Sequence, residues 1–214
     1  MDNIKFNSYQ LLRNQIYNFF RVQIRNEVIK PGDPIAIKNV ALQLGVSRTP
    51  LREALLQLQS EGFVTILPQR GVFINKLGQK DIKNIYEILG GLESRVIISV
   101  FDKIGKTEIT KMRQIDMEMQ DKILYRNVYK YYDLNIRFHD VFLDLSENKD
   151  LVNYVRIQKQ KLYGFTSINY GKQWKNKNFR EHEKFVQLLE KGNALKAANY
   201  MRDVHWIFKP PEKM

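Results

Sequence analysis

Apolar positions recur at helical spacing along most of the chain, interrupted early by two short runs of different texture. Leu12, Ile16, Phe19, Phe20, Ile24 and Val28 form one stripe and predict a first helix over Tyr9 to Val28, stopped by Lys30-Pro31-Gly32-Asp33-Pro34. Ile37, Val40, Ala41 and Leu44 predict a short second helix that ends at Gly45. Ser47 reads as the N-cap of a third, with Pro50 in the first turn, where its missing N–H removes no helical hydrogen bond. That helix would bury Leu51, Ala54, Leu55 and Leu58 and end at Gly62. The β-prone runs Phe63–Leu67 and Val72–Asn75, joined by Pro68-Gln69-Arg70-Gly71, predict a hairpin. Helix, helix, tight turn, helix and hairpin is the order of a winged helix-turn-helix.

After a polar joint at residues 75–80 the pattern is helical throughout. Helices are expected near Gln79–Phe101, Lys106–Ile123, Asn127–Leu145, Asp150–Tyr170, Asn176–Lys191 and Ala194–Phe208, with breaks at Gly105, residues 146–148, Gly171 and Gly192. The fold class is therefore mainly α: a winged helix-turn-helix over residues 1–77, then an all-α antiparallel bundle over residues 78–214.

Composition narrows the setting. A hydrophobic content of 43% with 27% charged residues is that of a globular chain. No apolar run is long enough to span a bilayer and no signal-peptide pattern opens the sequence, so a cytoplasmic location with no membrane partner is expected. Cysteine is absent, which excludes disulfides, thiolate metal sites and a cysteine nucleophile. The net charge of +12 favours a polyanionic partner, but residues 1–78 hold only 10 Lys and Arg against 5 Asp and Glu. The excess is spread along the chain and does not itself locate a nucleic acid.

The third helix supplies a more specific signal. Its non-packing positions include Arg48, Thr49, Arg52 and Glu53, and the two arginines, four apart, share one face. They lie at the N-terminal end, the part of a recognition helix that enters the major groove, and a guanidinium fork matches guanine O6 and N7. Lys38 on the preceding helix is placed to meet a phosphate, and Gln69, Arg70 and Gly71 at the wing tip to approach the minor groove. Solvated basic residues on a helical hairpin would look the same. The runs Leu44-Gly45-Val46-Ser47-Arg48-Thr49-Pro50-Leu51-Arg52-Glu53-Ala54-Leu55, Glu61-Gly62-Phe63-Val64 and Arg70-Gly71-Val72-Phe73 closely resemble the signature of GntR-type bacterial transcription regulators over about Leu11 to Asn75. The resemblance implies Arg48 and Arg52 as base readers, with Lys38, Ser47, Thr49 and Gly71 supporting backbone contacts.

All three histidines, His139, His182 and His205, fall on different helices of the second half. Asn135 and His139 are four apart and share a face. Neutral imidazole is a common ligand for divalent transition metals, and a bundle can bring distant helices around one ion, although a histidine is more often a hydrogen-bonded structural residue. Asn135-Ile136-Arg137-Phe138-His139, Glu181-His182 and the Ala197–His205 stretch resemble the FCD effector domain of the FadR-like branch of these regulators over about Gln79 to Phe208. The resemblance implies one divalent transition metal (zinc, nickel or similar) held by Asn135, His139, His182 and His205, and a small effector such as a carboxylic acid.

Three positions depart from the family pattern. Asn135 stands where relatives carry Asp, and Leu89 where they carry an arginine close to the effector. His205 comes one residue late, with Val204 in the expected place; one residue turns a side chain by about 100° around an α-helix, removing it from the site unless the helix is bulged or starts differently. Arg137, Arg156, Arg180, Tyr163 and Trp174 are candidates to line an effector cavity. The reading is a homodimeric, ligand-responsive, non-enzymatic regulator of a palindromic operator. The alternatives are a metal-dependent hydrolase with a nucleic-acid-binding appendage, disfavoured by the lack of HExxH, paired-carboxylate or Gly-rich phosphate motifs, and a non-specific architectural DNA binder.

Overall fold

Two sequence regimes, short mixed elements and then long helices, fold into two units. The computed structural model describes residues 7–26, 28–121, 128–165 and 172–209. One unit comprises Met1–Leu77 with Tyr163–Phe165, and the other Gly78–Leu162 with Thr166–Met214.

In the first unit, helix α1 (Asn7–Arg25) packs on α3 (Arg48–Ser60), with α2 (Ile37–Leu44) between them in the chain. Ile16, Phe20 and Ile24 of α1 and Leu51, Ala54, Leu55 and Leu58 of α3 are almost wholly buried, so one apolar stripe from each helix enters the core, together with Phe63, Val64, Val72 and Ile74. The α1 stripe stops earlier than its spacing predicts: the helix ends at Arg25, and Val28 is 67% exposed. Ser47 occupies the N-cap of α3 with extended backbone, but its hydroxyl makes no capping hydrogen bond, and Pro50 is buried in the first turn.

Strands β2 (Val64–Leu67) and β3 (Gly71–Ile74) form the expected antiparallel hairpin, with Leu67 opposite Gly71. A third strand, β1 (Pro34–Ile35), pairs with the other edge of β3, giving the order β1-β3-β2. Sequence patterning reads this stretch only as a helix stop, because two residues are too few to show alternation and proline fits an edge strand. The wing turns through left-handed backbone at Gln69 (φ 59°) and Gly71 (φ 104°); the second value suits glycine and leaves the tip open to solvent.

The second unit is helical: α4 (Gln79–Val100), a single 3₁₀ turn (Phe101–Lys103), α5 (Lys106–Gln120), α6 (Val128–Leu143), α7 (Lys149–Phe165), α8 (Lys172–Glu190) and α9 (Ala194–Tyr200). Local side chains satisfy several helix starts. Asp81 accepts the N–H of Gly78 and Glu108 that of Gly105, each at 2.9 Å, while Asn148 and Asn193 accept N–H groups at the starts of α7 and α9. Helix α8 begins four residues before the expected Asn176; the expected reach to Ile123 and Tyr170, the start at Asn127 and the break at Gly171 lie outside the described residues.

The last helix does not run as one α-helix. After Tyr200 it widens into a π-turn over Met201–His205, closed by the N–H of Trp206 donating to the carbonyl of Met201, five residues back, at 3.0 Å. Helix α5 packs against α6 and α8, and α4 against α9 and the π-turn, which leaves the middle of these helices as the interior.

Candidate functional site

Two surfaces carry the chemistry, one in each unit. On α3 the side opposite Leu51, Ala54, Leu55 and Leu58 presents Arg48, Thr49 and Arg52 to solvent, with Glu53 half-buried. Arg48, Arg52, Lys38 and Arg70 take no part in any ion pair found among the described residues, and Ser47, Lys38, Arg70 and Gly71 are all exposed. The two guanidinium groups are thus free to bond an external acceptor, while the apolar stripe behind them fixes the helix.

In the second unit, His139 (α6), His182 (α8) and His205 (π-turn) converge: one nitrogen from each lies within 4.8 Å of the others, and all three residues are buried. The late position of His205 is absorbed by the π-turn. Its extra residue turns His205 inward, at 6% exposure, and leaves Val204 outside at 39%. The shift seen in the sequence therefore does not remove the third imidazole.

Carboxylates hold these rings from behind. His139 Nδ1 donates to Glu93 Oε2 at 2.8 Å and His182 Nδ1 is hydrogen-bonded to Asp116 Oδ1 at 3.0 Å, while Nε2 of both rings is buried with no hydrogen-bond partner. His205 Nδ1 lies 3.3 Å from Glu181 Oε2 without an aligned hydrogen bond. Phe138 stacks on His182 with centroids 3.8 Å apart and planes 4° from parallel. A carboxylate on Nδ1 fixes the tautomer and aims the Nε2 lone pair forward, the arrangement that imidazole ligands of metals use.

Electrostatics favour neutral rings. Burial, then the neighbouring Lys159, His205 and His182, hold His139 well below the usual imidazole range. Burial lowers His182 to about 3, and lowers His205 despite the opposing Glu181. Burial and the nearby Glu183 push the Asp116 carboxyl up to about 8, so near neutral pH the Asp116–His182 pair holds one proton that metal binding at His182 Nε2 would release, leaving the carboxylate to accept from Nδ1. Three neutral imidazoles with orphaned buried nitrogens fit a divalent transition ion, which requires unprotonated nitrogen.

Asn135, one turn before His139, is also buried, and its Oδ1 accepts from Asn178 Nδ2 at 2.9 Å. Leu89 is buried in α4. The expected cavity-lining residues are scattered. Arg137 and Arg180 are exposed, and Arg156 is engaged by Asp140 at 3.2 Å and by Asp144. Tyr163 is buried and groups with the first unit, and the side chain of Trp174 lies outside the described residues.

Sequence reasoning misses Glu93, Asp116, Lys159 and Trp206, and singles out Glu181 only as the neighbour of His182. Glu93 is the hub: its Oε2 accepts from His139 and, at 2.7 Å, from Trp206 Nε1, while its Oε1 pairs with Lys159, both side chains being wholly buried. The Lys159 ammonium also lies 5.6 Å from the centroid of the Trp206 ring. A signal exists in hindsight, since Glu93 and Asp116 fall in phase with apolar stripes, Leu89 and Val96 around the first and Met112 and Met119 around the second.

Residues 12–74 match the family described as "Bacterial regulatory proteins, gntR family", and residues 84–204 match the FCD domain. The chain is 28% identical over 204 residues to the HTH-type transcriptional regulator YdhC of Bacillus subtilis (strain 168), covering 94% of this chain and 91% of that one. It is 35% identical over 130 residues to an HTH-type transcriptional regulator in the TAR-I ttuE-ttuC' intergenic region of Agrobacterium vitis, covering 59% and 76%. Among solved structures, Escherichia coli McbR/YncC shares the fold with a TM-score of 0.72 at 19% identity, over 91% of this chain and 93% of the other.

Proposed function

The chain belongs to the GntR-type transcription regulators that carry a C-terminal FCD domain, and from that premise we propose how its two functional surfaces work together. It is a DNA-binding transcription regulator with an effector-binding domain. In this reading residues 1–77 read a palindromic operator as part of a homodimer, Arg48 and Arg52 bonding base edges and Lys38, Ser47, Thr49, Arg70 and Gly71 positioning the backbone. Residues 78–214 hold one divalent transition ion, zinc, nickel or similar, on His139, His182, His205 and the amide oxygen of Asn135.

The convergence of three buried neutral imidazoles, two with unpartnered Nε2 atoms behind carboxylate-bound Nδ1 groups, carries the reading. When bound, such an ion supplies open positions to which a carboxylate or similar group of a small metabolite can coordinate. Glu93 and Asp116 orient the His139 and His182 rings, Glu181 lies beside the His205 ring, and Phe138 and Trp206 pack against the cluster. The effector acts by favouring one arrangement of the DNA-reading units over another, so its influence on operator affinity equals its differential affinity for the two. This chain's regulatory role is that of a binding protein in the cytoplasm, not an enzyme.

The test is fluorescence anisotropy of a labelled duplex from upstream of the protein's own gene against a scrambled duplex at matched salt. Protein stripped with chelator is compared with protein reconstituted with zinc or nickel, each with a panel of small carboxylic acids. The reading expects selective binding of the upstream duplex, modulated by at least one acid only in reconstituted wild type and not in His182→Ala. Equal affinity for both duplexes would favour the architectural binder and overturn the reading.

A further inference from the structure

The π-turn that delivers His205 has a seat. Gly90 of α4 lies against it so closely that a Cβ there would sit 3.1 Å from Trp206 Cβ, 3.3 Å from the carbonyl oxygen of Arg202 and 3.4 Å from Arg202 Cα. Two of these three are backbone atoms and cannot swing aside as a side-chain tip would. Next to it, Gly91 has nothing within 4 Å of its Cβ position and is exposed. The close approach is local to the buried face of α4, which three residues on also presents Glu93 to Trp206 Nε1 at 2.7 Å.

An α-helical turn over residues 201–205 would carry Val204 inward and His205 about 100° away from the cluster. The observed turn is one residue wider, with Val204 outside, His205 inside, and Trp206 aimed at the carboxylate that holds His139. Widened turns bulge, and here the bulge meets α4 where it lacks a side chain. We propose that Gly90 is a positioning residue for the third histidine: its missing Cβ makes the notch in which the Met201–His205 turn seats, and that seating brings His205 to the divalent-metal cluster. The inference rests on the metal reading above and deepens it, because it assigns the late histidine's recovery to a specific pair of backbone features. Leu89-Gly90-Gly91 and the one-residue shift of His205 are then two halves of one adjustment.

The experiment uses the full chain, stripped with chelator, and two readouts. Cobalt(II) titration followed by its visible absorption reports ligand number and affinity. Hydrogen exchange of the Trp206 indole N–H in the metal-free protein reports seating of the turn without metal. Gly90→Ala should weaken cobalt binding about 10- to 100-fold, the range for losing a ligand's supporting contacts, and reduce the cobalt spectrum's intensity or shift its bands. It should also lower Trp206 protection about tenfold by favouring the open turn. Gly91→Ala should match wild type in both. Deletion of Val204 removes an exposed residue and lets the turn close as an α-turn with the histidine still facing inward. It should keep cobalt binding and make Gly90→Ala nearly silent, which keeps the proposal decidable if Gly90→Ala alone fails to fold. Wild-type behaviour of Gly90→Ala in both readouts, or loss of binding in the deletion variant, overturns the proposal. If wild type binds no cobalt while Gly90→Ala still loses Trp206 protection, the metal reading falls and the notch stands.

Discussion

Replacing Glu93 by Gln isolates the most consequential buried charge in the second unit. The substitution keeps the side-chain volume, and the amide oxygen can still accept from His139 Nδ1 and Trp206 Nε1. It removes the carboxylate paired with Lys159, however, and turns an amide NH₂ toward an ammonium that is wholly buried. Removing one partner of a buried ion pair costs about 3–5 kcal/mol, because the other charge is left uncompensated. A ceiling follows from proton release: at pH 7, shedding the lysine proton against an unfolded pKa of about 10.4 costs about 4.6 kcal/mol at 1.36 kcal/mol per unit. Burial already lowers Lys159 in the wild type, with Glu93 opposing that shift, so the variant loses the opposing influence. For a chain of this size each kcal/mol moves the melting temperature by roughly 2–4 °C, giving an expected loss of about 10 °C in chelator-treated protein.

The pH dependence has a definite sign. A lysine whose folded pKa lies below its unfolded value binds fewer protons when folded, so stability rises with pH until the unfolded pKa is reached. The same ceiling shrinks to about 2 kcal/mol at pH 9, so the gap between variant and wild type should narrow between pH 7 and 9. Glu93→Gln combined with Lys159→Met should recover most of the loss, a coupling that thermal melts of the four proteins measure directly. A loss under about 1 kcal/mol at pH 7, a gap that does not change with pH, or a double variant no better than the single one would refute the argument.

Arg52→Ala, measured by competition between operator and scrambled duplexes, should lose about 1–3 kcal/mol of discrimination while its melting temperature stays at the wild-type value, since the side chain is exposed. Lys38→Ala should weaken both duplexes alike and reduce the slope of log affinity against log salt by about 1. Leu55→Ala on α3 should destabilise the first unit by about 2–5 kcal/mol in chemical denaturation, because Leu55 is 2% exposed within the buried stripe of that helix.

Much of this was open to reading along the chain. Helix α2 spans Ile37–Leu44 and α3 carries its buried residues where a 3.6-residue period puts them, because long-range packing there agrees with local pattern. Asn135 and His139, four apart on α6, are both buried, as one shared helix face requires. What failed did so for nameable reasons. Strand β1 is two residues long and exists only because β3 offers an edge. Val28 continues the α1 stripe on paper, but the helix has already stopped. The π-turn contradicts the rule that spacing sets facing, since a tertiary seat at Gly90 decides the matter over local geometry. Glu93, Asp116 and Lys159 escape a pattern-based reading because charged residues are usually solvated, and only the phase of Glu93 and Asp116 within apolar stripes marks them as buried.

The claim on which the regulatory reading turns is that three imidazoles share one ion. X-ray absorption at the zinc edge of protein reconstituted with one equivalent of zinc counts imidazole ligands through their ring scattering. Three imidazole nitrogens are expected at about 2.0–2.1 Å with the remaining ligand or ligands oxygen, and two imidazoles in His205→Ala. A wild-type spectrum with one imidazole or none, or one unchanged by His205→Ala, would contradict it.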